Sequence, residues 1–279
     1  MIGANRHLRP QGPSGHVVLD IVLFALYAAG AWVMLKSASK PRLEPLAWIA
    51  TLAAIIAHSD ALVRTMRING PFAIGLLEAI SLLAWTVAIL AALLSVERQN
   101  RVLGALLLAS AALGSAATSS ARTYVEALVP GWELTAHILL SMAAAALLFA
   151  AALTALLLIF LDHRVRAGRI AGLPSILPPL DALERAMFRL IGIGFSLLTL
   201  SLFTGFVFVT NLFTQHLIHK TVLSLVAWAI FGALLIGRMR FGWRGRSAVG
   251  WTLSGFGFLA LAYFGSKFVL EDVFGRHWG

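Results

Sequence analysis

From Leu134 to Leu161 the chain carries no Asp, Glu, Lys or Arg. An uncharged stretch of that length constrains folding more than any other feature of the sequence. An apolar run of about 20 residues spans a bilayer as an α-helix, and inside the bilayer every backbone polar group must find its partner within the chain. The pattern recurs along the whole chain. Hydropathy places eight spans, at about Val17–Leu35, Pro45–Val63, Pro71–Val96, Val102–Ala117, Trp132–Leu161, Ala186–Thr210, His219–Ile236 and Ser247–Leu270. The fourth is short and Ala-rich, and the fifth is long enough to tilt or to extend past the bilayer. Composition agrees: 59% of the 279 residues are hydrophobic and only 12% are charged, about half the charge of a soluble domain. The expected fold is an all-α, polytopic membrane bundle forming a single domain. No internal repeat is visible. The apolar run after the basic N-terminus is read as an uncleaved first span, because KSASKPRLEP follows it with no small-x-small cleavage site.

The basic residues are divided between the two sides of such a bundle. Arg6, Arg9, Arg64, Arg67, Arg122, Lys220, Lys267 and Arg276 lie on the side that holds both termini. The larger set lies on the other, in the segments around Lys36–Arg42, Arg98–Arg101, Arg164–Arg189 and Arg238–Arg246. The positive-inside rule makes that second side cytoplasmic and puts both termini outside. The formal net charge of +10 is thereby read as topology and lipid contact, with no nucleic acid as partner. The hairpin RMRFGWRGR (Arg238 to Arg246) is read as a basic anchor at the bilayer surface. The chain has no cysteine, which excludes thiol exchange, thiolate metal ligands and a covalent haem attachment on this chain.

The eight histidines are divided as well. His7, His16, His58, His137, His216, His219 and His277 fall on the outer side, and only His163 falls on the inner. Imidazole suits haem iron, zinc and copper. A histidine at a membrane interface is cheap to place, so His7, His16, His216 and His277 are read as carrying no ligand role, and His163, at the head of a basic loop, as solvated. His58, His137 and His219 sit at span ends beside apolar surface, where a polar ring needs a reason, and they are the candidate ligands. Two imidazoles from different helices at one depth could sandwich a haem. Glu78 lies about two turns into the third span, where a carboxylate costs ~2.5–3.5 kcal/mol and is a functional candidate by default. Glu133, one helical turn before His137, could orient that ring, as Asp60 could orient His58; Glu133 could equally cap the fifth helix. Most of the tryptophans are read as interfacial belt or packing.

The C-terminal half resembles a known family. The stretches that carry the likeness are HILLSMAAAALLFAAAL (His137 to Leu153), GFSLLTLSLFTGF (Gly194 to Phe206), HKTVLSLVAWAIFGALLIGR (His219 to Arg238), GWRGR (Gly242 to Arg246) and YFGSKFVLE (Tyr263 to Glu271). Their order over roughly residues 130–271 is similar to that of the membrane family of cytochrome c assembly proteins, whose larger, CcsA-like branch handles haem in the cytochrome c synthase. The resemblance implies haem as the cofactor, held at the outer face by histidines with His137 in the position of an outer ligand. It implies His219 and Lys220 where a Trp-rich haem-presenting loop passes into the next helix, and other membrane or periplasmic assembly proteins as partners. The chain departs from that branch at the loop itself. Only TNLFTQHLIHK (Thr210 to Lys220), with Phe213 as its one aromatic residue, stands where the WWD signature would be. The likeness is therefore to the shorter branch of YpjD-like and HemX-like inner-membrane proteins, and the implied role is a haem-binding accessory of assembly in the bacterial inner membrane. No nucleophile–base pair, phosphate loop or HExxH is present, so no enzyme is expected. A membrane scaffold without haem, packed through its small-residue faces, and a metal or solute transporter are the competing readings.

Overall fold

A computed structural model describes residues 13–69, 76–116, 132–167, 178–208 and 218–265. Every regular element among them is helical: α1 (Pro13–Ser39), α2 (Glu44–Asn69), α3 (Leu76–Ser95), α4 (Arg101–Ser115), α5 (Trp132–Arg166), α6 (Leu180–Phe208), α7 (Ile218–Phe241) and α8 (Gly245–Ala260). Six of the eight, all but α4 and α8, are long and apolar enough to cross a membrane. The chain is thus a polytopic membrane bundle. α8 runs on through a π turn, Leu261–Gly265, so that its helical path continues toward the outer side. α4, with 15 residues, rises about 22 Å and is shorter than the roughly 30 Å hydrocarbon layer.

The helices form two antiparallel groups of four. α1 packs on α2 and α4, and α3 packs on α2 and α4; α5 packs on α6 and α8, and α7 on both of those. α5 joins the groups through α3 and α4. Small residues let the backbones approach. At Gly104 a Cβ would strike the Ser95 hydroxyl, and at Gly114 it would come 2.7 Å from the Ala84 methyl, so both glycines are required where α4 crosses α3. The buried alanines 144, 145, 146, 150, 151, 152 and 155 give α5 the same closeness to its neighbours.

Charged clasps fix one end of both groups. Arg101, almost wholly buried, pairs with Glu44 and reaches the Ser37 carbonyl, tying α4 to α1 and α2. Arg238 of α7 donates to Glu184 of α6 at 2.9 Å and to the Trp243 carbonyl at 3.2 Å. Its guanidinium also lies 4.7 Å from the centre of the Phe188 ring. The hairpin turns on Gly242 and Gly245, both with positive φ, and folds Trp243 back over Gly237 to stack on Trp251. The RMRFGWRGR segment is therefore a built corner as well as a basic anchor. These clasps share the side on which most of the arginines were placed, so the polar features described next lie at or toward the opposite, outer side.

Candidate functional site

The main site is a cavity of about 460 Å³ among the outer ends of α5, α6, α7 and the π turn. His137 stands on its wall, five residues into α5. The ring is held from α6: Nδ1 is 3.0 Å from the Ser201 carbonyl and 3.2 Å from the Thr204 hydroxyl. A carbonyl oxygen can only accept, so the proton sits on Nδ1. Nε2 of the neutral ring then carries the free lone pair. The ring rests on Gly205, where an added Cβ would stand 2.9 Å from Cε1. Ser201, Thr204 and Gly205 lie at i, i+3 and i+4 and share one helical face. That face supplies an acceptor, a hydroxyl and a gap, which together seat one imidazole.

Behind the ring, Ser141 donates to the His137 carbonyl at 2.7 Å and meets Ser201 at 2.6 Å. Tyr263 hydrogen-bonds Ser141. The remaining lining is mainly apolar, with Met142, Leu198, Leu202, Phe206 and Leu225, and Lys220 lies exposed at its outer end. The arrangement is a half-open, mainly apolar cavity with one oriented imidazole and one outer cation. It suits a large, mostly apolar ligand with a metal or acidic group to be recognised.

The other candidates are distributed elsewhere. His58 does not sit at a span end as its sequence position suggested. α2 continues to Asn69, and His58 is fully buried within the first group of helices. Its Nδ1 is 3.0 Å from the Tyr27 hydroxyl and its Nε2 is 2.9 Å from the Ser81 hydroxyl. Both nitrogens are engaged, so the ring joins α1, α2 and α3 and presents no free lone pair to a cavity. Asp60 does not orient it, being paired instead with Arg64 at 2.7 Å. Beside it Trp85 donates to Ser59 at 2.8 Å. Glu78 lies one turn outward of Ser81 on the same face of α3, and its Oε1 is buried with no hydrogen-bond partner. Glu78 thus belongs to this second polar group and not to the His137 cavity.

Glu133 is partly buried in the first turn of α5, and no hydrogen bond joins it to the His137 ring among the described residues. His219 lies in the first turn of α7, next to the cavity residue Lys220; its side chain is outside the described residues. So are the side chains of His7, His16, His216 and His277, together with Phe213. Among the described residues, no cluster of three or more His, Cys, Asp or Glu could hold a metal ion by itself. Of the residues singled out in the sequence, His137 and Lys220 line this cavity; Ser201, Thr204, Gly205 and Tyr263 were not among them. The available signal for the α6 residues was the Ser-x-x-Thr-Gly spacing near the end of an otherwise apolar span.

A profile of the cytochrome c assembly protein family matches residues 73–274, which includes both the cavity and its seat. The chain belongs to this family. It is 34% identical over 231 residues to the inner membrane protein YpjD of Escherichia coli K12, covering 82% of this chain and 88% of that protein. It is 29% identical over 107 residues to the cytochrome c biogenesis protein CcsA of Synechococcus elongatus, covering 38% of this chain and 33% of that one. No solved structure matches it. The expected family likeness is thus established, and it reaches upstream of the C-terminal half to residue 73.

Proposed function

We propose that the protein is a haem-binding or haem-handling accessory of cytochrome c assembly in a bacterial inner membrane, and that it is not an enzyme. The observation that carries this reading is the seat of His137. A histidine whose Nδ1–H is fixed by a backbone carbonyl offers Nε2 in a defined direction, which is how proteins prepare an imidazole for a metal. The residues present fit a haem in three further respects. The cavity is mainly apolar and large, as a porphyrin face requires. Gly205 leaves room beside the imidazole. Lys220, at the outer end, is placed to attract acid groups.

When bound, haem would supply an iron centre that takes imidazole nitrogen. This chain's own residues would do the rest. His137 would hold the iron through Nε2, Ser201 and Thr204 would keep its ring from turning, and the leucines would exclude water. Lys220 would attract the acid groups at the outer face, where other membrane or periplasmic assembly proteins are the proposed partners. The relative named CcsA is a cytochrome c biogenesis protein, and the relative named YpjD is an inner membrane protein; both names support the assignment of role and place.

The test is the reduced-minus-oxidised absorption spectrum of protein purified in mild detergent from cells grown with ample haem. The proposal expects a haem α-band that disappears in His137→Ala and persists in His58→Ala. A featureless spectrum, or one indifferent to His137→Ala, would overturn it.

A further inference from the structure

The His137 cavity does not lie in the middle of its helix group. Its α6 wall (Leu198, Leu202, Phe206) and its α7 wall (Thr221, Ser224, Leu225) are the two lips of one seam. Toward the inner side that seam is shut. Trp228 of α7 donates to the Thr199 hydroxyl of α6 at 2.9 Å. Its ring stacks on Phe195 with centroids 5.7 Å apart, and Phe195 in turn packs against Gly232. About one turn outward of this clasp the two helices face each other across the cavity.

The outer rim of the seam is apolar and exposed. Phe206 is 72% exposed and Leu225 is 47% exposed, although both line the cavity. Val222, one turn before Leu225 in the next position along that lip, is 51% exposed. On a membrane-spanning segment such exposure faces acyl chains. Of the residues lining the cavity, Phe206, Leu225 and, at the outer end, Lys220 are exposed, whereas the polar side chains of His137, Ser141, Ser201, Thr221, Ser224 and Tyr263 are half-buried or buried. Exposed apolar residues and withdrawn hydrogen-bonding groups are the reverse of what a water-filled vestibule shows, where the mouth carries the polar residues.

We infer that the cavity opens sideways to the bilayer through the outer half of the α6–α7 seam, and that its ligand, a flat apolar molecule with acid groups, exchanges with the outer leaflet through that opening. The inference rests on the haem reading for the identity of the ligand. The geometry also explains the position of Lys220. Its long stem can lie along apolar surface while its ammonium stays at the headgroup level. Acid groups travelling at that level in the leaflet would meet it before the porphyrin plane passes Leu225. The Trp228–Thr199 clasp closes the seam about one turn inward of the cavity, which confines the opening to the outer half.

The experiment uses the full chain reconstituted in lipid vesicles, with hemin as the probe. Hemin is supplied either dissolved in donor vesicles or carried by albumin in the buffer, and the Soret change is followed in time. Loading of the unaltered protein is expected to rise in rate with the hemin dissolved in its own membrane. Leu225→Trp, which fills the opening, is expected to slow loading and release together by about tenfold, the effect of a gating barrier raised by overpacking. Leu225→Ala, which widens it, is expected to load at least as fast as the unaltered chain. Equal rates for Leu225→Trp and the unaltered protein from both sources would overturn the lateral route, as would slower loading in Leu225→Ala. If the unaltered protein took up hemin from neither source, the haem reading would fall and the route with it, whereas uptake with indifferent variants would sink the route alone.

Discussion

Gly205→Ala is the sharpest perturbation the structure offers, because it sets two effects of opposite sign against each other. In an α-helix alanine is favoured over glycine by about 0.8–1 kcal/mol, so the helix itself should gain. The His137 seat should lose. An added Cβ would stand 2.9 Å from Cε1, 3.4 Å from Nδ1 and 3.7 Å from Nε2 of the ring. Carbon atoms rest about 3.5–4.0 Å apart, so the ring must withdraw by roughly 0.6 Å. Its bond to the Ser201 carbonyl, 3.0 Å at present, would then stretch toward a length that no longer counts as a hydrogen bond. Losing it costs about 1 kcal/mol or somewhat more, since the site is only partly reached by water. On binding, that corresponds to a weakening of about five- to tenfold.

The assay is a hemin titration of detergent-purified protein followed in the Soret band, run beside thermal unfolding of the hemin-free protein. Gly205→Ala should bind more weakly while unfolding at the same temperature or higher. Unchanged affinity, with His137→Ala abolishing binding, would show that the seat on Gly205 does not control the ligand nitrogen. A fall in thermal stability of the hemin-free protein would show instead that the variant disturbs α5–α6 packing, and that the clash is not confined to the ring.

Other substitutions probe the remaining features. Tyr27→Phe leaves Nδ1 of the buried His58 without its partner and should destabilise the protein by about 1–3 kcal/mol, read by denaturation in mixed micelles, with hemin affinity unaffected. Glu44→Ala strands the Arg101 guanidinium, 3% exposed. It should cost more than surface ion pairs do, at least about 1–3 kcal/mol, and the double variant Glu44→Ala with Arg101→Met should recover part of the loss. Lys220→Glu should weaken hemin binding by a few-fold, in keeping with the ~0.2–1 kcal/mol of an exposed charge pair. That deficit should shrink as salt is raised from low to physiological ionic strength, and a salt-independent loss would count against a charge effect.

The parts of this molecule that were legible in the sequence are those written in long-range pattern. Apolar periods of about 20 residues show the bundle, and the uneven placement of arginine shows its sidedness, because both rules act on composition averaged over a span. Depth is legible only where the end of a helix is: His137 falls near the outer end of α5, but α2 runs on to Asn69 and carries His58 into its interior. Partner choice is not legible. His58 and His137 look alike as lone imidazoles in apolar runs, yet one is closed between Tyr27 and Ser81 and the other is held by a single edge. The difference lies in which residues of α1, α3 and α6 come opposite them. That is set by how the helices rotate about their axes, and small residues such as Gly104, Gly114 and Gly205 fix the rotation by letting backbones approach. In a soluble protein an amphipathic stripe announces the rotation of each helix. Here the lipid is as apolar as the core, so no such stripe is needed, and Trp32, 61% exposed, reads in sequence like a packing residue. The orientation of a membrane helix is written instead in sparse marks, a glycine beside a serine or a hydroxyl one turn from another. Ser201, Thr204 and Gly205 are such marks, and they distinguish an imidazole held by one edge from one closed on both nitrogens.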